Sequence, residues 1–319
     1  MNNVRDRTTR SRAARRRAAR GPARAWGARR PAWLVVLAAG AVAWGAVGRG
    51  ECPPEMRRVA DGVRYGRRTT TDPRPLELHF LEVDLTSADV ALEAVVADDP
   101  DGAGPAESIL VDPARLASRP GVVAAVNANA FRGLPDASGT ASTLWKADMP
   151  VTIAGWARSA DGDGSLPERG YHQFWIDTAG RAHIGTPKRA VDAAAPAAIA
   201  GFHVILADGR FVEGYREKLH PRTVVGTDAA GTRVWLVVVD GRQPGISEGM
   251  TYRELAALMR DLGCVAALNL DGGGSTVMLT AGPRGGLEIV NRPSGGRARP
   301  VPVMLVVRAA HATPEQSTR

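Results

Sequence analysis

Short runs of alternating apolar and polar residues, separated by tight turns, most constrain what this 319-residue chain can fold into. Three pairs of such runs are typical of β-hairpins, with turns at 178–180, 208–209 and 229–231. Only residues 252–262 carry a clear helical pattern, which ends at a glycine. We therefore predict a single mixed α/β (α+β) domain over residues 76–309, with a largely antiparallel twisted sheet and a few packing helices.

Three further segments carry weaker patterns. The strand patterns at 76–85 and 90–97 are predicted to pair as a hairpin across the short turn between them. Asp112 followed by Pro113 predicts the start of a short helix, because Asp caps the first N–H groups and Pro fits the first turn. Residues 132–170 show little periodicity, so we predict either a functional lid or an irregular insertion.

The basic character of the chain lies in its N-terminal segment. Residues 1–30 hold eleven Arg and one Asp, whereas the rest of the chain has a net charge of about −2, which gives no signature for nucleic acid. Residues 31–48 are uncharged and apolar, and basic residues ahead of such a stretch are typical of an export signal or membrane anchor. We expect an exported protein, either anchored or released by cleavage, with a linker at 49–75 and a tail at 310–319.

The two cysteines leave two alternatives open. In an exported chain, Cys52 and Cys264 can form one disulfide. Alternatively, Cys264 is a buried free thiol that follows the predicted helix, and Cys52 is unrelated to it. We favour the free thiol.

The densest group of polar residues follows a predicted buried strand and reads NLDGGGST. Asn269 and Asp271 alternate along that strand, so both side chains point to one face. The glycines 272–274 let the backbone approach a ligand, and successive N–H groups in such a turn can bind an anion. Ser275 adds a hydroxyl, and no Lys follows the glycines as it would in a P-loop. A plain hairpin turn is the alternative, but we favour a ligand site.

Two other segments place charged residues next to strands. In HPRT, Pro221 holds His220 in an extended conformation, from which its ring can act as an acid, a base or a hydrogen-bond donor. Arg222 offers a planar guanidinium that matches a phosphate. Asp240 ends an apolar strand just ahead of Arg242. The alternative is a structural ion pair for Arg222 and a surface position for His220.

Three asparagines complete the candidate set. Asn127 and Asn129 come at the end of a buried strand, where their amides can bind sugar hydroxyls or cap a turn. Asn291 begins a loop that also holds Arg292 and Arg297, ahead of the last strand. Solvated loop arginines are common, so we weigh a binding role and a surface role equally for this loop.

Together these segments resemble the phosphodiester glycosidase family. The matching stretches are HPRT, DGRQPG, MTYRELAALMRDLGC, NLDGGGST and NRPSGG with a following Val-Pro strand, in the family's order, over residues 219–305. The resemblance implies an exported, glycan-related hydrolase with a mixed α/β fold. Where family members carry two aromatic residues after the first Asn, this chain has only Phe131. The family's functional positions map onto His220, Arg222, Thr223, Asp240, Arg242, Asn269, Asp271, Gly272, Gly273, Gly274, Ser275 and Asn291.

The resemblance implies cleavage of a sugar from a sugar-1-phosphodiester. Because the leaving group is already a stable anion, the site must mainly hold a phosphate and stabilise an oxocarbenium-like sugar. We assign catalysis to Asp271, His220 and Asp240, with Asp271 stabilising the positive charge or acting as general base and His220 moving the proton. Arg222 and the glycine N–H groups are expected to bind the phosphate. The sequence identifies no certain cofactor, and a Ca²⁺ or Mg²⁺ ion on Asp271, Asp240 and Asn269 is an open alternative.

Two other classes of function remain alternatives. A non-catalytic, membrane-anchored glycan-binding or exopolysaccharide-assembly protein would use the same pocket without turnover. A nucleic-acid binder would act through the Arg-rich segment, which the charge of the folded part disfavours. The expected partners are therefore a glycan or sugar-phosphodiester substrate and, through the N-terminal hydrophobic segment, the membrane.

Overall fold

The structure, a computed structural model, describes residues 53–186, 194–215, 217–282 and 285–309. All of these belong to one compact unit, residues 44–319. The predicted basic segment, hydrophobic segment and C-terminal tail lie outside the described residues, and so does Cys52. In the part of the chain that is described, no helix is long and apolar enough to cross a membrane.

Strands dominate the described residues, and two α-helices accompany them. The helices are α1 (Pro113–Ala117) and α2 (Tyr252–Asp261). The strands, in chain order, are β1 (Met56–Ala60), β2 (Val63–Thr70), β3 (Leu76–Asp84), β4 (Ala91–Val96), β5 (Ser108–Ile109), β6 (Val122–Asn127), β7 (Phe131–Gly133), β8 (Pro150–Ile153), β9 (Ala157–Ser159), β10 (Gly162–Ser165), β11 (His172–Ile176), β12 (Ala182–Gly185), β13 (Ala197–Gly201), β14 (His203–Ala207), β15 (Arg210–Phe211), β16 (Arg222–Thr227), β17 (Arg233–Val239), β18 (Ala266–Asn269), β19 (Met278–Ala281), β20 (Leu287–Ile289) and β21 (Val303–Arg308).

The strands form four antiparallel sheets. The largest sheet has eight strands in the order β1-β2-β3-β17-β16-β18-β14-β15. A five-stranded sheet has the order β20-β19-β6-β21-β4, and we call it the second sheet. Another five-stranded sheet, β10-β9-β13-β11-β12, and a three-stranded sheet, β5-β8-β7, complete the set.

Apolar side chains of the described residues join these layers in four core clusters, of which two flank the largest sheet. The first cluster lies between the largest sheet and the second sheet, with Leu81 and Leu236 on one side and Val126 and Leu305 on the other. The second cluster packs Leu255 of α2 on the opposite face of the largest sheet. Because both faces of the largest sheet are covered, β3 and β17 are nearly continuous buried runs rather than alternating ones.

The predicted mixed α/β (α+β) class is wrong. The structure is mostly β, with 44% strand and 8% helix. The physical reason is that a second sheet covers the inner face of the largest sheet, a role that the prediction gave to packing helices. The one strong helical pattern is confirmed as α2, whose capping box joins Thr251 and Glu254. The short helix capped by Asp112 is also confirmed, as α1.

Three predicted hairpins are confirmed, as β11–β12, β14–β15 and β16–β17. The predicted hairpin over 76–97 is wrong, because β3 pairs with β2 and β17 whereas β4 pairs with β21 in the second sheet. The turn between β3 and β4 therefore carries the chain from one sheet to the other.

Two segments predicted to be irregular contain strands. Residues 56–70, part of the predicted linker, form β1 and β2 at the edge of the largest sheet. In β2, exposed arginines alternate with the buried Val63 and Tyr65, so the strand buries one face only. The polar composition of the segment therefore obscured its strand pattern. Residues 132–170 contain β8, β9 and β10 and the end of β7. Cys264 is a buried thiol without a disulfide, and burial raises its pKa to about 12.

Candidate functional site

A cavity of 360 Å³ opens at the ends of β16 and β18. The glycine turn and the HPRT segment share this cavity, because the N–H of Gly273 donates to the carbonyl of Pro221 at 3.0 Å. We call it the central cavity. Its lining residues are Phe202, His220, Pro221, Arg222, Arg242, Tyr252, Asn269, Asp271, Gly272, Gly273, Gly274 and Arg299.

The glycine turn forms where the chain crosses between the two main sheets. Strand β18 pairs with β16 in the largest sheet, whereas β19 pairs with β6 in the second sheet. Between them, the N–H of Asp271 donates to the carbonyl of Ala128 at 3.0 Å. The alternative of a plain hairpin turn is therefore wrong. The crossing fixes Asp271 at the seam between the sheets, facing the central cavity.

Each of the three glycines is required by a different close neighbour. A Cβ atom on Gly272 would lie 2.8 Å from the carbonyl oxygen of Pro221. Gly273 has a φ of +61°, and a Cβ there would lie 3.0 Å from the guanidinium of Arg242. A Cβ on Gly274 would overlap the guanidinium of Arg299. The missing side chains thus let a carbonyl and two guanidinium groups pack directly on the turn.

Two of the three glycine N–H groups in the predicted cradle form hydrogen bonds within the protein. The N–H of Gly272 donates to the Oδ1 atom of Asp271 at 2.9 Å, and that of Gly273 is used by Pro221. Guanidinium groups supply the positive charge at this turn instead. The turn stabilises the carboxylate and brings the arginines close.

Asp271 is the one acidic residue among the described residues that line the central cavity. Burial raises the pKa of its carboxyl to about 6, against the opposing effects of the Ser275 hydroxyl, the Arg299 charge and the Gly272 N–H. A carboxyl with a pKa near the working pH is well suited to exchange protons or to carry charge during a reaction.

Arg222 is a buried cation without an acidic partner in the described part of the chain. Its side chain is 5% exposed, and it donates to the carbonyls of Met250 at 3.0 Å and Lys218 at 2.8 Å. Its guanidinium lies 3.9 Å above the ring of Tyr252. Burial lowers the pKa of Arg222, and the Tyr252 hydroxyl and the charge of Glu217, which forms no salt bridge with Arg222, oppose this effect. The predicted alternative of a structural carboxylate pair is therefore not what the described residues show.

His220 lies beside Arg242, with 3.3 Å between its Nδ1 atom and the guanidinium. Because a guanidinium can only donate, Nδ1 must accept, and the neutral ring then carries its proton on Nε2. Burial, followed by the charges of Arg222, Arg242 and Lys218, lowers the pKa of His220. Of the three predicted roles, the geometry favours a neutral ring that donates from Nε2.

Asn269 lines the central cavity with its side chain 2% exposed. Its Nδ2 atom donates to the carbonyl of Leu270 at 2.8 Å, and its buried Oδ1 atom has no hydrogen-bond partner among the described residues. A buried acceptor without a partner costs free energy unless a ligand supplies a donor. Asn269 is thus placed to accept a hydrogen bond from a substrate hydroxyl.

Asn127, Thr223 and Asn129 are absent from the lining of the central cavity, and their side chains form hydrogen bonds within the protein. The Oδ1 atom of Asn127 accepts from the Thr223 hydroxyl at 2.7 Å and from the N–H of Val277 at 3.1 Å. Its Nδ2 atom donates to the carbonyl of Asp271 at 2.7 Å. The Asn129 amide forms hydrogen bonds with three backbone groups, two in the segment between β8 and β9 and one in β13.

Asp240 and Asn291 form a second internal network behind the cavity. The two oxygens of Asp240 accept from Asn291 Nδ2 and from the N–H of Arg292, both at 2.8 Å. The Oδ1 atom of Asn291 accepts from the N–H of Met278 at 2.9 Å. Asp240 is 1% exposed and is absent from the wall of the central cavity, so the structure does not place it beside Asp271 in that wall.

Ser275 connects the carboxylate to the arginine that the prediction missed. Its buried hydroxyl hydrogen-bonds Asp271 and lies 3.4 Å from Nη1 of Arg299. Arg299 comes from the loop before β21, and only folding distinguishes it from Arg297 two residues earlier. Phe202 and Tyr252 were also missed, since the sequence marks Tyr252 only as the start of α2.

Among the described residues, no group of three or more His, Cys, Asp or Glu side chains is arranged to hold a metal ion. The alternative ligand set for Ca²⁺ or Mg²⁺ needed Asp240 beside Asp271 and Asn269. Asp240 instead uses both carboxylate oxygens in the internal network with Asn291 and Arg292.

Replacing Asn127 with Ala should lower the free energy of unfolding by about 2–3 kcal/mol, because three buried hydrogen bonds are lost and two donors stay buried. Asn129→Ala is the matched control, because it removes a similar buried amide that forms no hydrogen bond with Asp271. Chemical denaturation should show both losses, whereas kcat should fall only in Asn127→Ala. A selective loss of kcat in Asn129→Ala would show that Asn129 contacts substrate after all.

The fold and site together define an antiparallel β protein whose cavity sets one carboxyl among three guanidinium groups, an arrangement suited to anionic ligands. The family model for phosphodiester glycosidases matches residues 120–308. The chain belongs to the phosphodiester glycosidase family. No curated protein matches it in sequence.

Solved structures share the fold, and two of them are the following. One is the catalytic domain of zebrafish N-acetylglucosamine-1-phosphodiester alpha-N-acetylglucosaminidase, auto-inhibited by its pro-peptide, with a TM-score of 0.56 and 19% identity over 83% of this chain and 87% of that one. The other is a hypothetical protein from Synechocystis, with a TM-score of 0.53 and 14% identity over 81% of this chain and 64% of that one. Likeness at these identities concerns the fold alone.

Proposed function

We propose that this protein is a hydrolase that cleaves the bond between a sugar and the phosphate of a sugar-1-phosphodiester. One observation carries the proposal: Asp271 and the guanidinium groups of Arg222, Arg242 and Arg299 line the same cavity. Three cations are more than one carboxylate can balance, so the cavity favours an anionic ligand. A phosphodiester supplies that charge next to the carbon that is attacked.

The single carboxylate fits this leaving group. Glycosidases that expel an alcohol generally use two carboxyl groups, one of which protonates the leaving oxygen. A phosphate monoester leaves as a stable anion, so a second carboxyl is dispensable. Asp271 can then act in its ionised form, either by stabilising the oxocarbenium-like sugar or by activating water as general base.

The arginines and His220 have complementary roles in this proposal. The guanidinium groups of Arg299 and Arg242 pack against the glycine turn beside Asp271. There they can hold the phosphate as negative charge develops on it. His220 donates a hydrogen bond from Nε2 to an oxygen of the phosphodiester, since its lowered pKa keeps the ring neutral. Asn269 accepts a hydrogen bond from a sugar hydroxyl with its free Oδ1 atom.

The decisive assay measures release of free sugar from methyl glycosyl phosphates. The name of the solved zebrafish relative makes N-acetylglucosamine the first sugar to test, followed by glucose and galactose. Saturable binding of all probes without sugar release would favour the rival proposal, a non-catalytic glycan-binding or exopolysaccharide-assembly protein.

The proposal of export and membrane attachment rests on the sequence of residues 1–48.

The pH dependence should report the raised pKa of Asp271. Because the ionised carboxylate is the active form, kcat/KM should be half-maximal near the Asp271 pKa of about 6, level off about one pH unit above it and fall about tenfold per unit well below it. A pH profile of kcat/KM from pH 4 to pH 8, in an assay with roughly constant ionic strength, measures this limb. His220→Gln should keep the limb at the same pH. A limb that disappears with His220→Gln would assign the titration to the histidine.

A further inference from the structure

A second cavity, of 370 Å³, adjoins the central cavity. The two share Arg242, Gly274 and Arg299, so the guanidinium groups stand at the boundary between them. The outer wall of the second cavity comes from two loops, one with Trp145 before β8 and one with Arg297 before β21. We call this space the flanking cavity.

A third cavity, of 340 Å³, adjoins the central cavity at a different boundary. It shares His220, Arg222 and Tyr252 with the central cavity and no residue with the flanking cavity. Asp271 therefore lies in the middle compartment of three. A phosphodiester carries two organic groups on its phosphate, here the sugar and the aglycone. A substrate bound with its phosphate at Arg242 and Arg299 has room for both groups.

The wall of the flanking cavity combines apolar surface with uncompensated positive charge. The indole of Trp145 is supported edge-on by Phe131, with ring centroids 5.0 Å apart and an interplanar angle of 80°. Leu144 beside it is 71% exposed, a high value for a large apolar side chain. Arg297 is exposed and has no ion pair with an acidic side chain in the part of the chain that is described. Such a wall suits a ligand with both a ring and an anion.

We propose that the flanking cavity binds the aglycone of the phosphodiester and selects aglycones that carry a ring able to stack on an indole, either a base or a sugar, and a second anionic group. With the phosphate held at Arg242 and Arg299, the sugar lies beside Asp271 and the aglycone points toward Trp145 and Arg297. The ring stacks on Trp145, and the second anion pairs with Arg297. A nucleoside diphosphate and a hexose that carries its own phosphate both have this chemistry. The inference rests on the proposed hydrolase function.

The test compares three aglycones on the sugar that is active in the methyl glycosyl phosphate assay. The probes are the methyl phosphodiester, the uridine diphosphate sugar and a phosphodiester to a hexose bearing its own phosphate. The readout is the ratio of kcat/KM for each large aglycone to that for methyl. Trp145→Ala and Arg297→Ala should each lower this ratio about tenfold or more, because stacking and an ion pair to phosphate are lost.

Two exposed residues outside all three cavities give matched controls. Leu166→Ala removes an apolar side chain that is 68% exposed, and Arg169→Ala removes an exposed arginine, and neither should change the ratio. If the variants lower the ratio for the uridine diphosphate sugar alone, the ring that the cavity binds is an aromatic base. If they lower the ratio for both large aglycones, the cavity accepts either a sugar or a base. Ratios that are equal in wild type and both variants would overturn the inference while the proposed hydrolysis stands.

If no probe is hydrolysed, the proposed hydrolase function is contradicted. The proposed ligand preference of the flanking cavity can still be tested by measuring binding. Uridine diphosphate binding can then be measured by calorimetry on the same four variants. A loss of affinity of about tenfold in Trp145→Ala and Arg297→Ala, with the controls unchanged, supports the flanking cavity. Equal affinity in all variants overturns it.

Discussion

Replacing Asp271 with Asn should lower kcat by about 1,000-fold or more, with little change in KM. Asp271 is the one carboxyl in the described lining of the central cavity, so no neighbour can take over its charge. Asn keeps the size and the ability to accept from Gly272 but cannot ionise. Removal of a general base or of an electrostatic stabiliser costs about 100- to 10,000-fold in rate. Steady-state kinetics on the active methyl glycosyl phosphate measure the loss.

The same substitution should stabilise the fold at neutral pH. The pKa of Asp271 is raised to about 6 in the folded chain, so between its unfolded value and pH 6 the folded state binds more protons. The fold therefore loses stability as the pH rises through that window, and Asp271→Asn escapes this loss. We expect a gain of roughly 1–3 kcal/mol in the free energy of unfolding at pH 7, fading toward pH 4. A variant that is inactive and also destabilised would show only damage to the turn.

The sequence predicted the strands and turns of this chain better than it predicted the sheets they form. Alternation and turn residues are local, so the hairpin β16–β17 and the capped helix α2 could be predicted. The separation of β3 and β4 into different sheets could not, because a four-residue turn permits both a hairpin and a crossing. The fold class was wrong for a related reason. Sequence periodicity shows that a strand face is buried but does not show whether a helix or another sheet covers it.

The candidate site shows a similar division. The glycine turn and the HPRT segment were predicted to share one cleft, and the structure places them in the same cavity. Asp240, by contrast, is turned inward to Asn291, which no local pattern reveals. Arg299 enters the cavity because β21 lies in the second sheet, next to β6, at the seam where Asp271 sits. Its role depends on long-range packing, so a sequence with several loop arginines cannot single it out.

Replacing Arg222 with Met should lower kcat/KM by about 100- to 1,000-fold without destabilising the unliganded fold. A buried guanidinium without an acidic partner in the described residues costs free energy when no anion is present, and the phosphate of the substrate supplies the missing charge. Met retains much of the packing on Tyr252 and removes the charge. Loss of one preorganised cation that stabilises developing charge typically lowers the rate by this amount.

Ligand-induced stabilisation separates this charge effect from damage to the fold. Inorganic phosphate should raise the Tm of wild type and of Arg292→Met, a matched control whose side chain is exposed and lies outside the cavity. The Tm of Arg222→Met should rise less than that of wild type as phosphate is added, because only Arg242 and Arg299 remain to bind the anion, and it should start at a value equal to or above that of unliganded wild type. Arg222→Lys should regain only part of the activity, because the fork that reaches both Met250 and Lys218 is lost. An undiminished phosphate response in Arg222→Met would place the anion on Arg242 and Arg299 alone.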